Sequence, residues 1–89
     1  MHYLWNKSID MSELLDRITT NPEICNGKPI IRGMRITVST VLEYLAAGET
    51  TENILKAYPI LEEQDIRACL EFAKTISDRS ILNYDLQTY

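Results

Sequence analysis

Residues 38–59 read V-S-T-V-L-E-Y-L-A-A-G-E-T-T-E-N-I-L-K-A-Y-P, and this stretch decides the fold. Its first apolar residues recur at the i, i+3, i+4 and i+7 spacing of one helix face, which predicts a helix over residues 38–47. Gly48 follows as a left-handed C-terminal cap, and Thr50 is a suitable N-cap for a second helix that Pro59 ends. The stretch therefore predicts two short helices joined by a tight turn.

Helical spacing continues on both sides of this pair. Upstream, an apolar stripe predicts a short helix at about residues 10–17, with Asp10 as its N-cap. Residues 81–89 show no clear period and are predicted to be a tail. Between Leu61 and that tail, a longer stripe predicts a fourth helix with the inward residues Ile66, Cys69, Leu70, Ala73 and Ile76.

Residues 19–38, between the first two predicted helices, are rich in turn-forming residues. They hold two of the three Pro and two of the three Gly residues of the chain. The Asn26-Gly27 pair and its β-branched flanks predict a small hairpin or β-arm. Gly27 and Gly33 are interpreted as positions where the backbone needs a positive φ.

Together these elements predict a mainly α fold, in which a trihelical helix-turn-helix core carries a short β-arm and an N-terminal helix. We expect the N-terminal segment over residues 1–17, the helix-turn-helix domain with its arm over 18–77, and a C-terminal tail over 78–89. The residues alone leave open whether such a unit binds DNA or is only a small, compactly packed helical domain, because a fold does not fix a function.

The composition is that of one compact domain, since the 89 residues are 45% apolar and 25% charged. The net charge of −4 is unusual for a free-standing nucleic-acid binder. Positive charge is confined to one segment, because residues 24–42 carry a net charge of +3 and residues 43–71 a net charge of −5. We therefore expect any contact with DNA to involve that basic segment.

The basic segment owes its charge to Lys28, Arg32 and Arg35, which are the candidate DNA-binding residues. In this role each would contact a phosphate without reading sequence. The alternative is that Arg32 or Arg35 pairs with a helix acid such as Glu43 or Glu71 and only ties the arm to the core.

Cysteine and histidine counts argue against several kinds of catalytic site. Two Cys and one His are too few for a zinc site of the usual spacing, and a Ser-His-Asp triad would have to use His2. We expect no catalytic residue, no metal and no cofactor, and an enzyme is the least favoured class. Cys69 is expected to be a buried, unreactive thiol, and Cys25 is interpreted as an unreactive loop thiol.

The chain shows no apolar run long enough to span a membrane and no secretory signal at its start. We therefore expect a cytoplasmic protein with no membrane partner.

Three linked motifs carry a family resemblance. They are N-P-E-I-C-N-G-K-P-I-I-R-G-M-R-I at 21–36, the helix, Gly and capped helix of 38–59, and E-E-Q-D-I-R-A-C-L-E-F-A at 62–73. Together they resemble the family called domain of unknown function 433. The resemblance implies a homeodomain-like helix-turn-helix fold. It also implies the role of a VapB-type antitoxin, which is typically encoded beside a PIN-like ribonuclease toxin.

Two residues depart from the family pattern. Met34 stands where Thr is usual, which removes a hydroxyl, and Glu62 stands where a Ser or Thr cap of the last helix is common. An acid at a helix N-terminus still suits the helix dipole. Because Glu62, Glu63 and Asp65 would repel phosphates, we expect DNA binding to run through the arm and not through the last helix.

Large apolar residues at both ends of the chain form a second candidate site. Tyr3, Leu4 and Trp5 precede the predicted core. These end residues either close back on the core or form a docking surface for a partner. We assign partner binding to the C-terminal set, which consists of Ile81, Leu82, Tyr84, Leu86 and Tyr89.

The residues and the resemblance together predict the antitoxin of a type II toxin-antitoxin pair. It would neutralise a PIN-like toxin by direct binding and repress its own operon as a homodimer on operator DNA. The alternatives are a stand-alone helix-turn-helix regulator and a protein-interaction adaptor that does not bind DNA.

Overall fold

The computed structural model describes the backbone of residues 11–84 and the side chains of residues 12–79. Four helices and one two-stranded antiparallel sheet make up this part of the chain. A short 3-10 turn, Cys25–Gly27, lies between the strands. In chain order the elements are α1 (Met11–Leu15), β1 (Ile18–Thr19), β2 (Ile30–Ile31), α2 (Val38–Ala46), α3 (Thr51–Ala57) and α4 (Glu63–Tyr84). The prediction of a mainly α fold with a small β element is confirmed.

Threonine caps begin the two central helices, and the Thr50 cap is the one that the sequence predicts. The Thr37 hydroxyl accepts the Thr40 N–H at 3.0 Å at the start of α2. The Thr50 hydroxyl likewise accepts the Asn53 N–H at 3.1 Å at the start of α3. Each cap satisfies an N–H that has no partner within its own helix, which is why these short helices begin at fixed residues.

Gly48 ends α2, as its spacing predicts. Its φ of 95° lies in the left-handed region, and its N–H donates to the Leu45 carbonyl at 3.0 Å. The Glu49 N–H donates to the Tyr44 carbonyl at 3.0 Å, which completes a Schellman motif. The chain therefore turns at Gly48, and α3 begins three residues later at Thr51.

The β element differs from the predicted hairpin. Ile18 pairs with Ile31 and Thr19 with Ile30, so ten residues separate two strands of two residues each. The Asn26-Gly27 pair lies in the intervening 3-10 turn, where φ is 58° for Asn26 and 78° for Gly27. Both residues of β2 are fully buried. The β element is therefore part of the core and does not project as an arm.

A tight turn over residues 31–34 follows β2 and lies within the first of the three motifs, residues 21–36. The Met34 N–H donates to the Ile31 carbonyl at 2.8 Å, and the two residues between them have positive φ, 47° for Arg32 and 74° for Gly33. The prediction for Gly33 is confirmed. Arg32 is a non-glycine residue in the same left-handed region, and its N–H donates to the Arg17 carbonyl at 2.7 Å. This bond helps to hold a backbone conformation that costs a side-chain-bearing residue free energy.

The core lies where α2, α3 and α4 meet over β2. Cys69 is fully buried in it, as predicted, and Met34 packs against its edge. The buried members of this cluster are Ile31, Val38, Val41, Ile54, Leu61, Ile66 and Cys69.

The last helix is longer than the sequence pattern indicates. It runs for 22 residues and ends at Tyr84, so residues 81–84 are helical and not part of an irregular tail. Within the described residues, none of the helices is long and apolar enough to cross a membrane.

Candidate functional site

The three candidate DNA-binding residues lie around the β2 turn, but they face different surroundings. Lys28 and Arg35 are exposed, and neither forms an ion pair with any described side chain. Arg32 points toward the first turn of α4, where it pairs with Asp65. Among the described residues, two of the three cations are therefore without an ion-pair partner.

Asp65 is the centre of a buried charge cluster. Its side chain is 0% exposed. Arg32 binds both carboxylate oxygens, with Nε donating to Oδ1 at 3.0 Å and Nη2 donating to Oδ2 at 2.8 Å. Arg17 Nη1 donates to Oδ1 at 2.9 Å, and the Glu62 N–H donates to Oδ2 at 2.8 Å. Each carboxylate oxygen thus accepts two hydrogen bonds.

These contacts decide the ionisation of the cluster. Burial by itself raises the pKa of Asp65, because a low-dielectric environment disfavours the charged form. The hydrogen bonds from Arg32, the Glu62 N–H and Arg17 outweigh burial and lower the pKa of Asp65. Hydrogen bonds to Glu62 and Asp65 raise the pKa of Arg17, and the bond to Asp65 raises the pKa of Arg32. At neutral pH the cluster is therefore fully ionised.

The cluster joins segments that are distant in sequence. Arg32 Nη2 also donates to the Ile60 carbonyl at 3.1 Å, and Arg17 Nη1 also donates to Glu62 Oε1 at 2.8 Å. The β2 turn, the segment between α1 and β1 and the loop between α3 and α4 are thus joined at the start of α4. Arg32 therefore has a structural role, because it connects the β2 turn to Ile60 and Asp65.

Among the described residues, neither Arg32 nor Arg35 pairs with Glu43 or Glu71, the two acids named as examples in the alternative interpretation. Glu71 instead lies 3.9 Å from Lys74 on its own helix. The general alternative, that an arm arginine ties the arm to a helix acid, holds for Arg32, with Asp65 as the acid.

An apolar groove opens between α2 and the middle of α4. Its volume is about 430 Å³. Among the described residues that line it, Lys28 at one edge is the charged one. The apolar walls are formed by Val38, Leu42, Phe72, Ala73 and Ile76.

The far end of α4 is a second exposed surface. Residues 76–79 are all exposed, and Ile76 is 44% exposed although it is a large apolar residue. The backbone of Ile81, Leu82 and Tyr84 lies in the last turns of this helix. Their side chains, and the whole of Leu86 and Tyr89, lie outside the described residues, as do Tyr3, Leu4 and Trp5.

The cysteine environments differ as the sequence indicates. Burial raises the pKa of Cys69 to about 12, and the nearby Asp65 charge adds to the effect. The thiol of Cys69 is therefore protonated at neutral pH and is not a nucleophile. Cys25 is half-buried and free. Within the described residues, no group of three or more His, Cys, Asp or Glu side chains could hold a metal ion.

Comparison with protein families identifies the chain. The family model described as "Protein of unknown function (DUF433)" matches residues 18–73. The chain belongs to the DUF433 family. The match begins one residue after Arg17 and includes both Arg32 and Asp65. It ends at Ala73, so Ile76 and the exposed end of α4 lie beyond it.

The chain is also similar to two individual proteins, one by sequence and one by structure. The uncharacterized protein y4eO of Sinorhizobium fredii is 34% identical over 65 residues, which are 73% of this chain and 29% of that protein. The chain thus spans less than a third of the length of this relative. The crystal structure of a DUF433 member protein from Anabaena variabilis matches with a TM-score of 0.66 and 25% identity, over 89% of this chain and 79% of that one. The fold is therefore shared with a solved member of the family.

The sequence analysis of this DUF433 domain did not identify Asp65 and Arg17 as ion-pair partners in the charge cluster. Asp65 has the position of a helix-capping acid, three residues after Glu62, and its carboxylate does accept the Glu62 N–H. The additional signal was an acid on the inward side of α4, one residue before Ile66. A buried carboxylate needs cationic partners. The basic segment over residues 24–42 is where the sequence offers them.

Proposed function

We propose that this DUF433 protein is an antitoxin that neutralises a PIN-like ribonuclease toxin in the cytoplasm. The observation that carries the proposal is the end of α4, which continues as a helix to Tyr84 and whose side chains at residues 76–79 are exposed. A few helical turns without tertiary packing are marginally stable in water. A partner protein that covers this surface would supply the missing burial.

The sequence of this helix end suits a protein interface. Ile81, Leu82 and Tyr84 belong to it, and Leu86 and Tyr89 follow. Large apolar and aromatic residues are enriched among the residues that dominate interface energies. Each such side chain contributes about 1.5 to 3 kcal/mol when it is fully desolvated. Two or three of them are enough for useful affinity after the cost of ordering the chain.

Truncation tests the antitoxin proposal. The full chain should be co-expressed with the ribonuclease encoded beside it, with growth rescue, ribonuclease activity and the mass of the complex as readouts. Deletion of residues 80–89 should shift the thermal midpoint by only a few degrees and should abolish growth rescue. A large loss of midpoint with inhibition intact would place these residues in the core or a dimer interface instead. If the full chain neither binds nor inhibits the ribonuclease, the proposal is wrong.

A second function, repression of its own operon, is favoured by the two exposed cations. We propose that α2, α3 and α4 form a homeodomain-like helix-turn-helix core and that a homodimer contacts operator DNA through Lys28 and Arg35. The exposed acids Glu62 and Glu63 at the start of α4 disfavour phosphate contacts by that helix. Arg32 contributes by holding the turn in shape and not by contacting phosphate.

The double variant Lys28→Ala/Arg35→Ala tests the DNA contact. Its binding to the upstream DNA should weaken for all sequences, and the slope of log affinity against log salt should fall by about one unit per lost phosphate contact. Inhibition of the toxin should stay at the level of the unmodified protein, which separates the two functions. An unchanged salt slope would contradict this assignment.

A further inference from the structure

We propose that Asn26 is a site of spontaneous deamidation and that the turn over Cys25–Gly27 controls the rate of this reaction. The reacting groups are the side-chain amide of Asn26 and the backbone nitrogen of Gly27. This proposal goes beyond the antitoxin and DNA-binding roles and does not depend on them, because it rests on the chemistry of one short segment.

The sequence around Asn26 favours the reaction. Deamidation begins when the backbone nitrogen of the next residue attacks the carbonyl carbon of the asparagine side chain. A side chain on that next residue hinders the attack, and glycine has none. Asn26 is the sole asparagine of the chain that a glycine follows. Asn21 cannot react in this way, because Pro22 follows it and has no N–H.

The reaction balances with water as the co-reactant, and Asn26 is exposed to water. The Gly27 nitrogen forms a bond to Cγ of Asn26, and its proton leaves with the side-chain NH₂ group as ammonia. The product is a five-membered succinimide ring. Water then breaks one of the two C–N bonds of the ring, which leaves an aspartate or an isoaspartate at position 26. Isoaspartate carries the main chain through its side-chain carbon and so adds one atom to the backbone.

The native turn keeps the two reacting groups apart. The Gly27 N–H donates to the Ile24 carbonyl at 3.1 Å, and the Lys28 N–H donates to the Cys25 carbonyl at 3.1 Å. The ψ of Asn26 is 32°. Because the substituents of a tetrahedral carbon lie a third of a turn apart, Cβ of Asn26 is then nearly opposite the Gly27 nitrogen about the Cα–C bond. The ring can therefore close only after the turn opens.

The same turn is strained, which favours its opening. Three successive residues have positive φ, with 51° for Cys25, 58° for Asn26 and 78° for Gly27. Glycine adopts this region readily and asparagine tolerates it, whereas the Cβ of a residue such as Cys25 is crowded there by the backbone. The turn lies outside the buried core cluster. Its opening therefore does not require the core to unfold.

Conversion of Asn26 would change the segment that carries Lys28. Both products have a carboxylate, so the net charge of residues 24–42 falls from +3 to +2. The extra backbone atom of isoaspartate also displaces the donors and acceptors of the two turn bonds. The turn cannot close again as before, and Lys28 loses the bond that holds its backbone to Cys25.

Peptide mapping by mass spectrometry measures the reaction at each asparagine. The full chain should be incubated at neutral pH with a reducing agent, beside a peptide of residues 21–30 as a reference without the tertiary structure. We expect aspartate and isoaspartate products at Asn26 of the full chain, formed more slowly than in the peptide. Asn21 should stay unmodified in both samples.

Two changes at Cys25 alter the turn and leave both reacting groups in place. Cys25→Gly removes the Cβ that disfavours a positive φ and should slow the reaction about fivefold. Cys25→Val puts a β-branched residue in that region and should accelerate it by a similar factor. The matched control is Thr50→Ala, which destabilises the whole fold through loss of the α3 cap and leaves the turn unchanged. Its rate should equal that of the unmodified protein.

Four results would refute the proposal. Equal rates in the full chain and the peptide would show that the turn does not control the reaction. An Asn26 that stays intact while the peptide converts completely would show that it is not a modification site. Unchanged rates in both Cys25 variants would remove the role of backbone strain. Acceleration by Thr50→Ala as large as that by Cys25→Val would show that the reaction needs global unfolding and not opening of the turn.

Discussion

Replacing Asp65 with Asn is the sharpest test of the charge cluster. The carboxylate is fully buried and accepts four hydrogen bonds, two of them from Arg32. An Asn amide has one acceptor oxygen, so its NH₂ group must face donors that now bind Oδ2. Asp65→Asn therefore leaves the Arg32 guanidinium without its counter-charge and leaves Arg17 with Glu62 alone. It also places the Asn NH₂ group against N–H donors.

The size of the effect follows from this geometry. Removing one partner of a buried ion pair costs roughly 3 to 5 kcal/mol. A small domain has a free energy of unfolding of about 5 to 15 kcal/mol, so the loss is a large share of the total. Since 1 kcal/mol shifts the thermal midpoint of a domain this size by about 4 to 8 °C, the midpoint should fall by at least about 12 °C.

Thermal and urea unfolding measure this prediction, and pH gives an independent readout. The folded-state pKa of Asp65 is lowered, so its stabilising contribution is fully present above its unfolded-state pKa of about 3.9 and is lost as pH falls through the folded-state value. The stability of the unmodified protein should therefore fall below about pH 4. The Asn variant should show a flatter acid limb.

The matched control is Glu63→Gln in the same helical turn, which removes an exposed acid and should cost no more than about 1 kcal/mol of helix-dipole energy. Arg32→Ala should cost much less in the Asp65→Asn background than in the unmodified protein, because the two residues interact directly. If Asp65→Asn is as stable as Glu63→Gln, the cluster does not hold the segments together and the reasoning is refuted.

Three further changes test other parts of the structure. Cys69→Ser should destabilise the fold by about 1 to 2 kcal/mol, because it buries a hydroxyl without a partner. A thiol reagent should label native Cys25 much faster than Cys69, whose pKa is about 12. Equal labelling rates would contradict the burial of Cys69. Thr50→Ala should cost about 1 kcal/mol in urea unfolding through loss of the α3 cap, and Thr50→Ser should restore most of it. Gly48→Ala should cost about 1 to 2 kcal/mol from backbone strain alone, since an added Cβ meets no atom within 4 Å; an unchanged unfolding midpoint would show that the turn can relax.

Helix positions were predictable because their signals are local. The apolar spacing after Val38, the Thr37 and Thr50 caps and the φ of Gly48 all act within one or two turns of chain. The end of α4 was not predictable by the same means. No Gly or Pro stops that helix and its apolar spacing weakens after Ile76, so the pattern stopped indicating a helix although the backbone continues to Tyr84.

The sequence likewise predicted only part of the candidate site. The charge map located the basic segment, and Lys28 and Arg35 are exposed there. It did not distinguish Arg32 from them, because the difference lies in a partner 33 positions away. A local sequence pattern contains no information about contacts between positions that far apart in the chain.

The sequence by itself determined the order of the helices, their caps, the burial of Cys69 and the membership of the DUF433 family. The tertiary structure decided the rest. It buried both residues of β2, brought Arg17 and Arg32 to one carboxylate, and formed the groove between α2 and α4. The physical reason is that caps and periodicity are fixed by neighbouring residues, whereas the burial of a charge and the filling of a core depend on which distant segments meet.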